Sequence, residues 1–476
     1  MDPGLKIITF SESKECDALT IKNEGMRAHD LMDRATLRIF QRLLCLIPNN
    51  KSITVLCGPG NNGADGLCLA SMLAVKGYDV ETKICLLDKT PSASLTFRLS
   101  LYSQQQSVNI QIIEDAKALV ISKNRIIVDA LFGTGLQQPL QHKWQALIDT
   151  INNSGCEVFS IDMPSGLLDN SDSMNMPFIN AKKVLTIQCP KPSLLYPEFK
   201  IDFEVLDCGI ETETIITNHY FLNYPDSQVE KQMALILPRR PKHSHKGTFG
   251  HTLLIGGNSG MHGAIAMAAK SCYESGSGLT TVLSPVGTLP FLSATPEIMH
   301  IPHKLNEEAI STLPLDKFKS IALGPGLGNT PETCRLMADA LKRFRIPLIL
   351  DADALNIIAS RTELLNIIPE GSLLTPHPAE FERLFGHTKS GKQKEDIAVQ
   401  KSQELGVYIL AKNTYSLLAC PDGKVFYNGT GDSKLARGGS GDKLTGIIAG
   451  LFAQNQNMRD AALAGMYYSG LGRLVI

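Results

Sequence analysis

Short, continuously apolar segments alternate with longer amphipathic segments along most of this 476-residue chain. In the first half the apolar segments are SITVLC, VETKICLL, RIIVDALFG, CEVFSIDMPSG and VLTIQCP, and the helical segment GADGLCLASMLAVKG separates the first two. Strands that are apolar on both faces and joined by helices are typical of a parallel sheet covered on both sides. The pattern therefore predicts an α/β protein.

The alternation stops in a polar stretch between Gly209 and Pro241 and then resumes. The second series comprises HTLLIGG, a helix over about residues 263–275, LTTVLSP, SIALGPG, IPLILDAD, SLLTPHP and VYILAK. A chain of this length exceeds what one core usually serves, since domains typically contain about 100–200 residues. We therefore predict two α/β domains, over residues 1–211 and 232–476, joined by a linker over residues 212–231.

The composition argues against several classes of protein. Hydrophobic residues make up 43%, charged residues 20%, and the net charge is -1, so we expect a globular protein that does not bind nucleic acid through a basic face. No apolar run of membrane-spanning length and no signal peptide is evident, so we expect no membrane partner and a cytoplasmic location. The 11 cysteines occur singly, which predicts reduced, buried thiols rather than a disulfide or zinc framework.

Glycine-rich or carboxylate-bearing segments follow several strands of the first half. GPGNNGADG, at Gly58–Gly66, fits the G-x-G-x-x-G spacing of dinucleotide-binding folds, although this match alone is weak. Asp129 and Asp162 end two further strands, and the carboxyl ends of parallel strands share one crevice. Amide and carboxylate oxygens there could bind a hard cation, and the backbone of FGTG could bind phosphate. Each aspartate alone could equally be a helix N-cap.

These motifs, with the upstream ECDALTIKNEGMRAHDLMDRA and the later TIQCPKPSLLYP, resemble the YjeF N-terminal domain, the NAD(P)HX epimerase, over roughly residues 5–210. The resemblance implies a Rossmann-like three-layer domain with a potassium ion held by Asn62, Asp129 and Ser165. It also implies that Asp129 is the acid/base group at C6 of the damaged nicotinamide ring, a role worth about 10²–10⁴-fold in rate. The residues implied to contact the hydrated nucleotide, NADHX or NADPHX, are Asn61, Asn62, Gly63, Ala64, Asp65, Gly133, Thr134, Gly135, Leu136, Gln137, Gln138, Pro139 and Asp162. A binding domain without catalysis remains the alternative.

The segment ARGGSGDKLTG, residues 436–446, places glycines and one aspartate before an apolar helix. Glycine backbone N–H groups and a helix N-terminus favour phosphate, so Asp442 is either a cap or a catalytic carboxylate. Because a helix N-terminus stabilises negative charge, we expect it to lower the pKa of Asp442. Two other candidates have structural alternatives: His377 as a packed core residue, and Lys412 as a side chain that extends into water.

In the order GGNSGMHGA, GPGLG, DADAL, TPHPAEF, LAKNTYS and GGSGD, the second half resembles the ribokinase-like superfamily. HKGTFG, DADALN and TPHPAEF narrow the resemblance to the YjeF C-terminal domain, the ADP/ATP-dependent NAD(P)H-hydrate dehydratase, over roughly residues 232–470. It implies that the hydrate contacts Ala264, Gly326, His377 and Asp442. It implies that ADP or ATP contacts Lys412, Asn413, Thr414, Tyr415, Ser416 and Gly441.

In this resemblance Asp442 deprotonates the C6 hydroxyl, and Mg²⁺ neutralises phosphate charge. Asn413 departs from the family, which usually has glycine there. Both halves together resemble the bifunctional NAD(P)H-hydrate repair enzymes, which implies a homo-oligomer. A small-molecule kinase that releases a stable phosphorylated product is the alternative, because the same glycine loop would serve it.

Overall fold

The computed structural model describes residues 2–102, 109–169, 176–223, 225–311 and 313–473. It divides the chain into two compact units, Lys6–Thr217 and the pair of segments Met1–Leu5 and Asn218–Ile476. The division falls inside the predicted linker. Two details differ from the predicted boundaries, because Met1–Leu5 and residues 218–231 of that linker belong to the C-terminal unit.

The reason for the difference is a short strand that the sequence pattern does not reveal. His219–Leu222 pairs in parallel with Val425–Asn428, and Leu222 is fully buried. A helix follows at Ser227–Ile236, with Asp226 accepting hydrogen bonds from its first turn. Four apolar or aromatic positions flanked by polar residues are too short a signal to distinguish from a linker.

After a two-residue strand, β1 (Leu5–Lys6), the elements of the N-terminal unit are as follows. The strands are β2 (Ile53–Cys57), β3 (Val80–Cys85), β4 (Asn109–Ile113), β5 (Ile126–Ala130), β6 (Val158–Ile161), β7 (Lys183–Ile187) and β8 (Phe203–Leu206). The helices are α1 (Phe10–Glu24), α2 (Ala28–Leu46), α3 (Asn61–Val75), α4 (Ala93–Tyr102) and α5 (His142–Asn152). The strands form one parallel sheet in the order β4-β3-β2-β5-β6-β7-β8.

The C-terminal unit contains the longer sheet, in the order β1-β9-β18-β17-β16-β15-β14-β13-β10-β11-β12. Its strands are β9 (His219–Leu222), β10 (His251–Ile255), β11 (Leu279–Ser284), β12 (Met299–Pro302), β13 (Ser320–Leu323), β14 (Leu348–Leu350), β15 (Leu373–Leu374), β16 (Tyr408–Ala411), β17 (Ser416–Ala419) and β18 (Val425–Asn428). Neighbours from β12 to β16 are parallel, whereas β16, β17 and β18 form an antiparallel meander.

The helices of this unit are α6 (Ser227–Ile236), α7 (His262–Glu274), α8 (Leu289–Leu292), α9 (Glu308–Ser311), α10 (Pro331–Arg343), α11 (Asp353–Ser360), α12 (Pro378–Phe385), α13 (Gly391–Leu405), α14 (Ser440–Asn455) and α15 (Met458–Gly470). Helices α14 and α7 approach unusually closely. A Cβ on Gly446 would lie 2.0 Å from the carbonyl oxygen of Ala268, and one on Gly450 would lie 2.5 Å from that of Cys272.

The predicted α/β class is confirmed: the N-terminal sheet has the strand order of a Rossmann-like fold, and the C-terminal unit is an α/β domain built on a largely parallel sheet. Strands β2 and β5 are buried along their whole length, as their continuous apolar sequences indicate. All eleven cysteines are free thiols and most are buried, which agrees with the prediction made from their spacing. Within the described parts of the chain, no helix combines the length and apolarity that crossing a membrane requires.

Candidate functional sites

The strand ends of the N-terminal unit bring three predicted site residues to one crevice. Asp129 lies on β5, beside both β2 and β6, and Asp162 follows directly after β6. A Cβ on Gly133 would lie 3.1 Å from Asp162 Oδ2 and 3.2 Å from Asn62 Oδ1. The amide nitrogen Nδ2 of Asn62 is buried and has no hydrogen-bond partner in the described structure. A buried donor without a partner is costly, so it marks a place where a ligand group can bind.

The glycines of this crevice have two different purposes. A Cβ on Gly58 would lie 1.8 Å from the carbonyl oxygen of Leu131, and one on Gly63 would lie 1.8 Å from that of Gly58. These two glycines therefore let the loops pack against each other. Gly60 and Gly135 have open space beside them. They are the positions at which a ligand can approach the backbone.

Asp129 is fully buried and accepts four hydrogen bonds. Its Oδ1 accepts from Ser165 Oγ at 2.6 Å and from Leu131 N at 3.2 Å. Its Oδ2 accepts from Ser160 Oγ at 2.7 Å and from Ser165 N at 2.9 Å. Burial raises the pKa of Asp129, and the hydrogen bonds from Ser165 oppose that rise. These four hydrogen bonds fix the carboxylate in place, and the role of Asp129 as the acid/base group at C6 stays a prediction.

Asp129 and Ser165 do fit an ion site. Ser165 Oγ lies 3.2 Å from the carbonyl oxygen of Phe132 as well as 2.6 Å from Asp129 Oδ1, so three oxygens converge there. Asn62 Oδ1 lies 3.2 Å from the Cβ position of Gly133, on the loop that follows Phe132. Hard cations prefer such all-oxygen surroundings. No group of three or more His, Cys, Asp and Glu side chains suited to a metal ion occurs among the described residues.

One carboxylate oxygen of Asp162 is fixed by an ion pair, and the other faces the crevice. Its backbone is in the left-handed region, with φ of 65°, which costs energy for a residue other than glycine. Lys191 Nζ donates to its Oδ1 at 2.7 Å. Its Oδ2 faces Gly133 and accepts only a long bond, 3.4 Å, from Thr134 N. Asp162 is therefore not a helix cap, and it is the carboxylate that a ligand in the crevice can reach.

The remaining predicted contacts of this unit divide by burial. Ala64 is fully buried, and its N–H donates to the carbonyl of Gly60, so it supports the loop instead of offering a group to a ligand. Leu136 is likewise buried and donates its N–H to the carbonyl of Gly133. The predicted contacts that lie at the surface of the unit are Asn61, Gly135, Gln137, Gln138 and Pro139.

Two charged residues near this crevice, Asp17 and Lys191, escaped the sequence interpretation, whereas Asp65 was among the predicted contacts. Burial raises the pKa of Asp17, on α1, to about 6, and the negative charge of Asp162 raises it further. Burial also raises the pKa of Asp65 well above its usual value. Lys191 was missed because lysine is rarely buried. The proline-flanked sequence CPKPS was its only signal.

In the C-terminal unit the predicted residues gather around a buried carboxylate. Asp351 accepts from Lys412 Nζ at 2.8 Å, Thr375 Oγ1 at 2.7 Å and Thr445 Oγ1 at 2.6 Å. These partners come from β16, the end of β15 and α14, so one side chain ties three elements together. Charge and hydrogen bonding from Lys412 hold the pKa of Asp351 below its usual value in spite of burial. Lys412 does not extend freely into water.

The glycine loop and Asp442 lie beside this network. A Cβ on Gly441 would lie 3.4 Å from Lys412 Nζ, and Asp442 is in the first turn of α14. The expectation that the helix N-terminus lowers the pKa of Asp442 is wrong. Burial, and then the charge of Asp351, raise that pKa to about 6, with Lys412 opposing. Desolvation of the carboxylate outweighs the partial charge of the helix end.

Of the other predicted hydrate contacts, Gly326 lies on a loop, Ala264 lies in the first turn of α7, and His377 is the N-cap of α12. Gly326 has φ of 60°, and a Cβ there would approach Ala264 Cβ to 3.3 Å, so these two residues pack together. His377 is not a packed core residue, because it caps α12: its Nδ1 accepts from the N–H groups of Ala379 and Glu380. Burial and the charge of Lys412 lower the pKa of His377. A neutral His377 with an accepting Nδ1 carries its proton on Nε2.

The predicted nucleotide-binding segment is the turn between β16 and β17. Ser416 Oγ accepts from Asn413 N at 3.3 Å, and Asn413 Oδ1 accepts from Thr414 N at 2.8 Å. Asn413 is not among the described residues with positive φ, so the absence of glycine there causes no strain. Tyr415 packs edge-on against Phe221.

Comparison with known proteins gives matches across both units. Residues 28–193 match the family model "YjeF-related protein N-terminus", and residues 252–472 match the model "NAD(P)H-hydrate dehydratase". The bifunctional NAD(P)H-hydrate repair enzyme of Moorella thermoacetica is 32% identical, over 98% of this chain and 91% of that protein. The chain belongs to the family of bifunctional NAD(P)H-hydrate repair enzymes.

Other members of this family show a similar relationship. The bifunctional NAD(P)H-hydrate repair enzyme of Escherichia coli is 30% identical, over 94% of this chain and 85% of that protein. Among solved structures, the ADP/ATP-dependent NAD(P)H-hydrate dehydratase of Bacillus subtilis, co-crystallised with ATP and Mg²⁺, is 30% identical. That match covers 51% of this chain and 86% of the bacterial one, with a TM-score of 0.45.

Proposed function

We propose that this protein repairs hydrated nicotinamide nucleotides by two successive reactions. The N-terminal unit epimerises the R and S forms of NADHX and NADPHX. The C-terminal unit dehydrates the S form to NADH or NADPH while ADP or ATP is consumed. The observation that carries the proposal is the presence of both sites in one chain, each with a carboxylate next to a predicted ligand loop.

For the epimerase, we assign different tasks to the two aspartates of the crevice. Asn62, Asp129 and Ser165 would hold a potassium ion, whose charge would attract an anionic nucleotide and order the loop that begins at Phe132. The oxygens of Asp129 and Ser165, 2.6 Å apart, support this assignment. Asp162 would face the substrate with Oδ2, where its carboxylate can accept hydrogen bonds from the bound nucleotide.

For the dehydratase, Asp442 would take the proton from the C6 hydroxyl. The hydroxyl oxygen then forms a bond to the terminal phosphorus of the nucleotide, and the bond from that phosphorus to the leaving nucleotide breaks. Next the C6–O bond breaks, phosphate leaves with the electron pair, and loss of a ring proton restores the double bond. A pKa of about 6 suits Asp442 to this task, because a base works best when its pKa is near the working pH.

The nucleotide would lie against the turn at residues 412–416 and the N-terminus of α14. Lys412 is 3.4 Å from the Cβ position of Gly441, so one ammonium group can serve both the loop and a phosphate. Mg²⁺ would enter with the nucleotide, since magnesium is commonly held by substrate phosphates and few carboxylates. Ala264, Gly326 and His377 would surround the damaged ring.

The test uses the purified chain with an NADHX epimer mixture. Without nucleotide, chromatography should show the separated epimers returning to equilibrium faster than in buffer. With ADP or with ATP, assayed separately, absorbance at 340 nm should rise until all hydrate is consumed. A stable phosphorylated hydrate with no NADH formed would instead establish a kinase and defeat the proposal.

A further inference from the structure

A lysine in the core of the N-terminal unit has no assigned task. The side chain of Lys191 has no solvent exposure, and its ammonium group donates three hydrogen bonds. The acceptors are Asp162 Oδ1 at 2.7 Å, Thr186 Oγ1 at 3.0 Å and the carbonyl oxygen of Ile187 at 3.0 Å. Burial of a charged lysine is expensive unless it is paired, so the fold retains this group at a cost.

We propose that Lys191 is the positioning residue of the epimerase site: it fixes Asp162 so that Oδ2 is presented to the substrate as a charged acceptor. The proposal rests on the function proposed above. One oxygen of the carboxylate is fastened to the core, and the other faces the Cβ position of Gly133 at 3.1 Å. The carboxylate cannot rotate without breaking the ion pair.

The surroundings of Asp162 explain why a cation is needed at this place. Asp17 on α1 and Asp65 on α3 both face it closely enough for its charge to raise their pKa. The Cys208 thiol also lies within range of its charge. Among the described residues, Lys191 is the one cation within ion-pair distance of Asp162. Without it, a buried carboxylate among acidic neighbours would lack a compensating charge.

The backbone supports the same reading. Asp162 adopts φ of 65°, and its N–H donates to the carbonyl oxygen of Leu185 at 2.8 Å. Lys191 lies in the segment that follows β7, shortly after Leu185, and from there its side chain contacts Asp162. A strained residue persists only where its surroundings enforce it, and such strain concentrates at functional sites. Lys191 and the strained backbone of Asp162 therefore act together to orient the Asp162 carboxylate.

Lys191→Met tests the proposal, with Lys183→Met as the matched control. Lys183 lies on β7 and pairs with Asp202 at the opposite end of the strand from the site. We expect Lys191→Met to raise the KM for epimerisation roughly 10- to 100-fold, the size of one hydrogen bond to a charged group, with kcat changed less than about threefold. Lys183→Met should have the wild-type KM. A wild-type KM in Lys191→Met would overturn the proposal.

Asp162→Asn and the double variant Asp162→Asn/Lys191→Met complete a cycle. If Lys191 acts through Asp162, the double variant has the KM of Asp162→Asn within about threefold. A KM increase in the double variant that equals the product of the increases in the two single variants would contradict this. The double variant buries no unpaired charge, so it keeps the test available if Lys191→Met does not fold.

Dehydration of pure S-NADHX by the same preparations reports whether the chain is intact, because that reaction belongs to the other unit. An unchanged KM with a lower kcat and a lower melting temperature would reduce Lys191 to a structural role. Failure of the wild-type chain to epimerise at all would defeat the proposed function, which is a separate outcome.

Discussion

At the scale of single residues, the pair of Asp351 and Asp442 determines how the dehydratase should respond to pH. Asp442 has its pKa raised to about 6 by burial and by the charge of Asp351. Asp442 must be deprotonated to act as a base. Dehydratase activity should therefore be maximal well above pH 6 and fall as the pH drops through about 6. The pH dependence of kcat/KM reports this group in the free enzyme.

The variant Asp351→Asn tests whether the charge of Asp351 raises the pKa of Asp442. The substitution removes the negative charge that raises the pKa of Asp442 and frees the charge of Lys412, which lowers it. Both changes act in the same direction, so the acidic limb of kcat/KM should move to lower pH. Initial rates with S-NADHX and ATP between pH 5 and 8 measure the shift. Asp353→Asn is the control, because the charge of Asp353 is the last and smallest of the influences on Asp442. A limb that moves to higher pH in Asp351→Asn would refute the coupling.

The residue scale also shows what sequence reasoning can and cannot find. Asn62, Asp129, Asp162 and Asp442 were predicted because each lies in a recognisable motif at the end of a strand or the start of a helix. The resemblance assigned Asp129 to an ion and Asp162 to the substrate, but which oxygen of each carboxylate accepts hydrogen bonds could not be predicted, because it depends on the folded state. The raised pKa of Asp442 was missed for a similar reason, since burial cannot be read from a loop motif.

At the scale of secondary structure, the glycines in and just before α14 fall into two groups. Some form the loop at the N-terminus of the helix, and others let the helix pack closely against α7. Gly439 adopts φ of 85° against Met267, and Gly441 lies beside Lys412, so both belong to the loop. Gly446 and Gly450 lie one turn apart and let α14 touch the backbone of α7. The sequence places all of them in one run. Only the packing separates glycines that accommodate a ligand from glycines that accommodate a helix.

Gly446→Ala should therefore destabilise the C-terminal unit. The added methyl would lie 2.0 Å from the carbonyl oxygen of Ala268, so the helices must separate. Overpacking of this kind costs about 1–3 kcal/mol, and for a unit of this size each kcal/mol lowers the melting temperature by about 2–4 °C. Gly263→Ala on α7 is the control, since it has open space and alanine favours a helix. Equal melting temperatures for the two variants, measured by circular dichroism, would contradict the packing argument.

The strands were predicted more reliably than the boundary between the units. Every continuous apolar segment singled out in the sequence is a strand in the structure, because a strand buried on both faces has no polar positions to obscure it. His219–Leu222 was assigned to a linker because its burial comes from pairing with Val425–Asn428, some 200 residues away. Contacts of that sequence separation leave no local pattern.

At the scale of the whole molecule, two separate units with two separate sites mean that the reactions should be separable by mutation. Asp442→Asn should abolish NADH formation while the epimers still interconvert. Asp162→Asn should give a fast rise in absorbance at 340 nm that equals the S fraction of the hydrate, followed by a slow phase limited by the weakened epimerase. The wild-type chain should show one phase that consumes both epimers.

Mixing the two variants tests whether the hydrate travels through solution between the sites. Each unit has its own sheet and its own hydrophobic core, so each variant keeps one intact site. Equal amounts of Asp442→Asn and Asp162→Asn should therefore restore complete conversion of the mixture. The slow phase should accelerate in proportion to the Asp442→Asn added. If the slow phase does not respond, the R hydrate is epimerised only when both sites are in the same chain, and the independence of the two units fails.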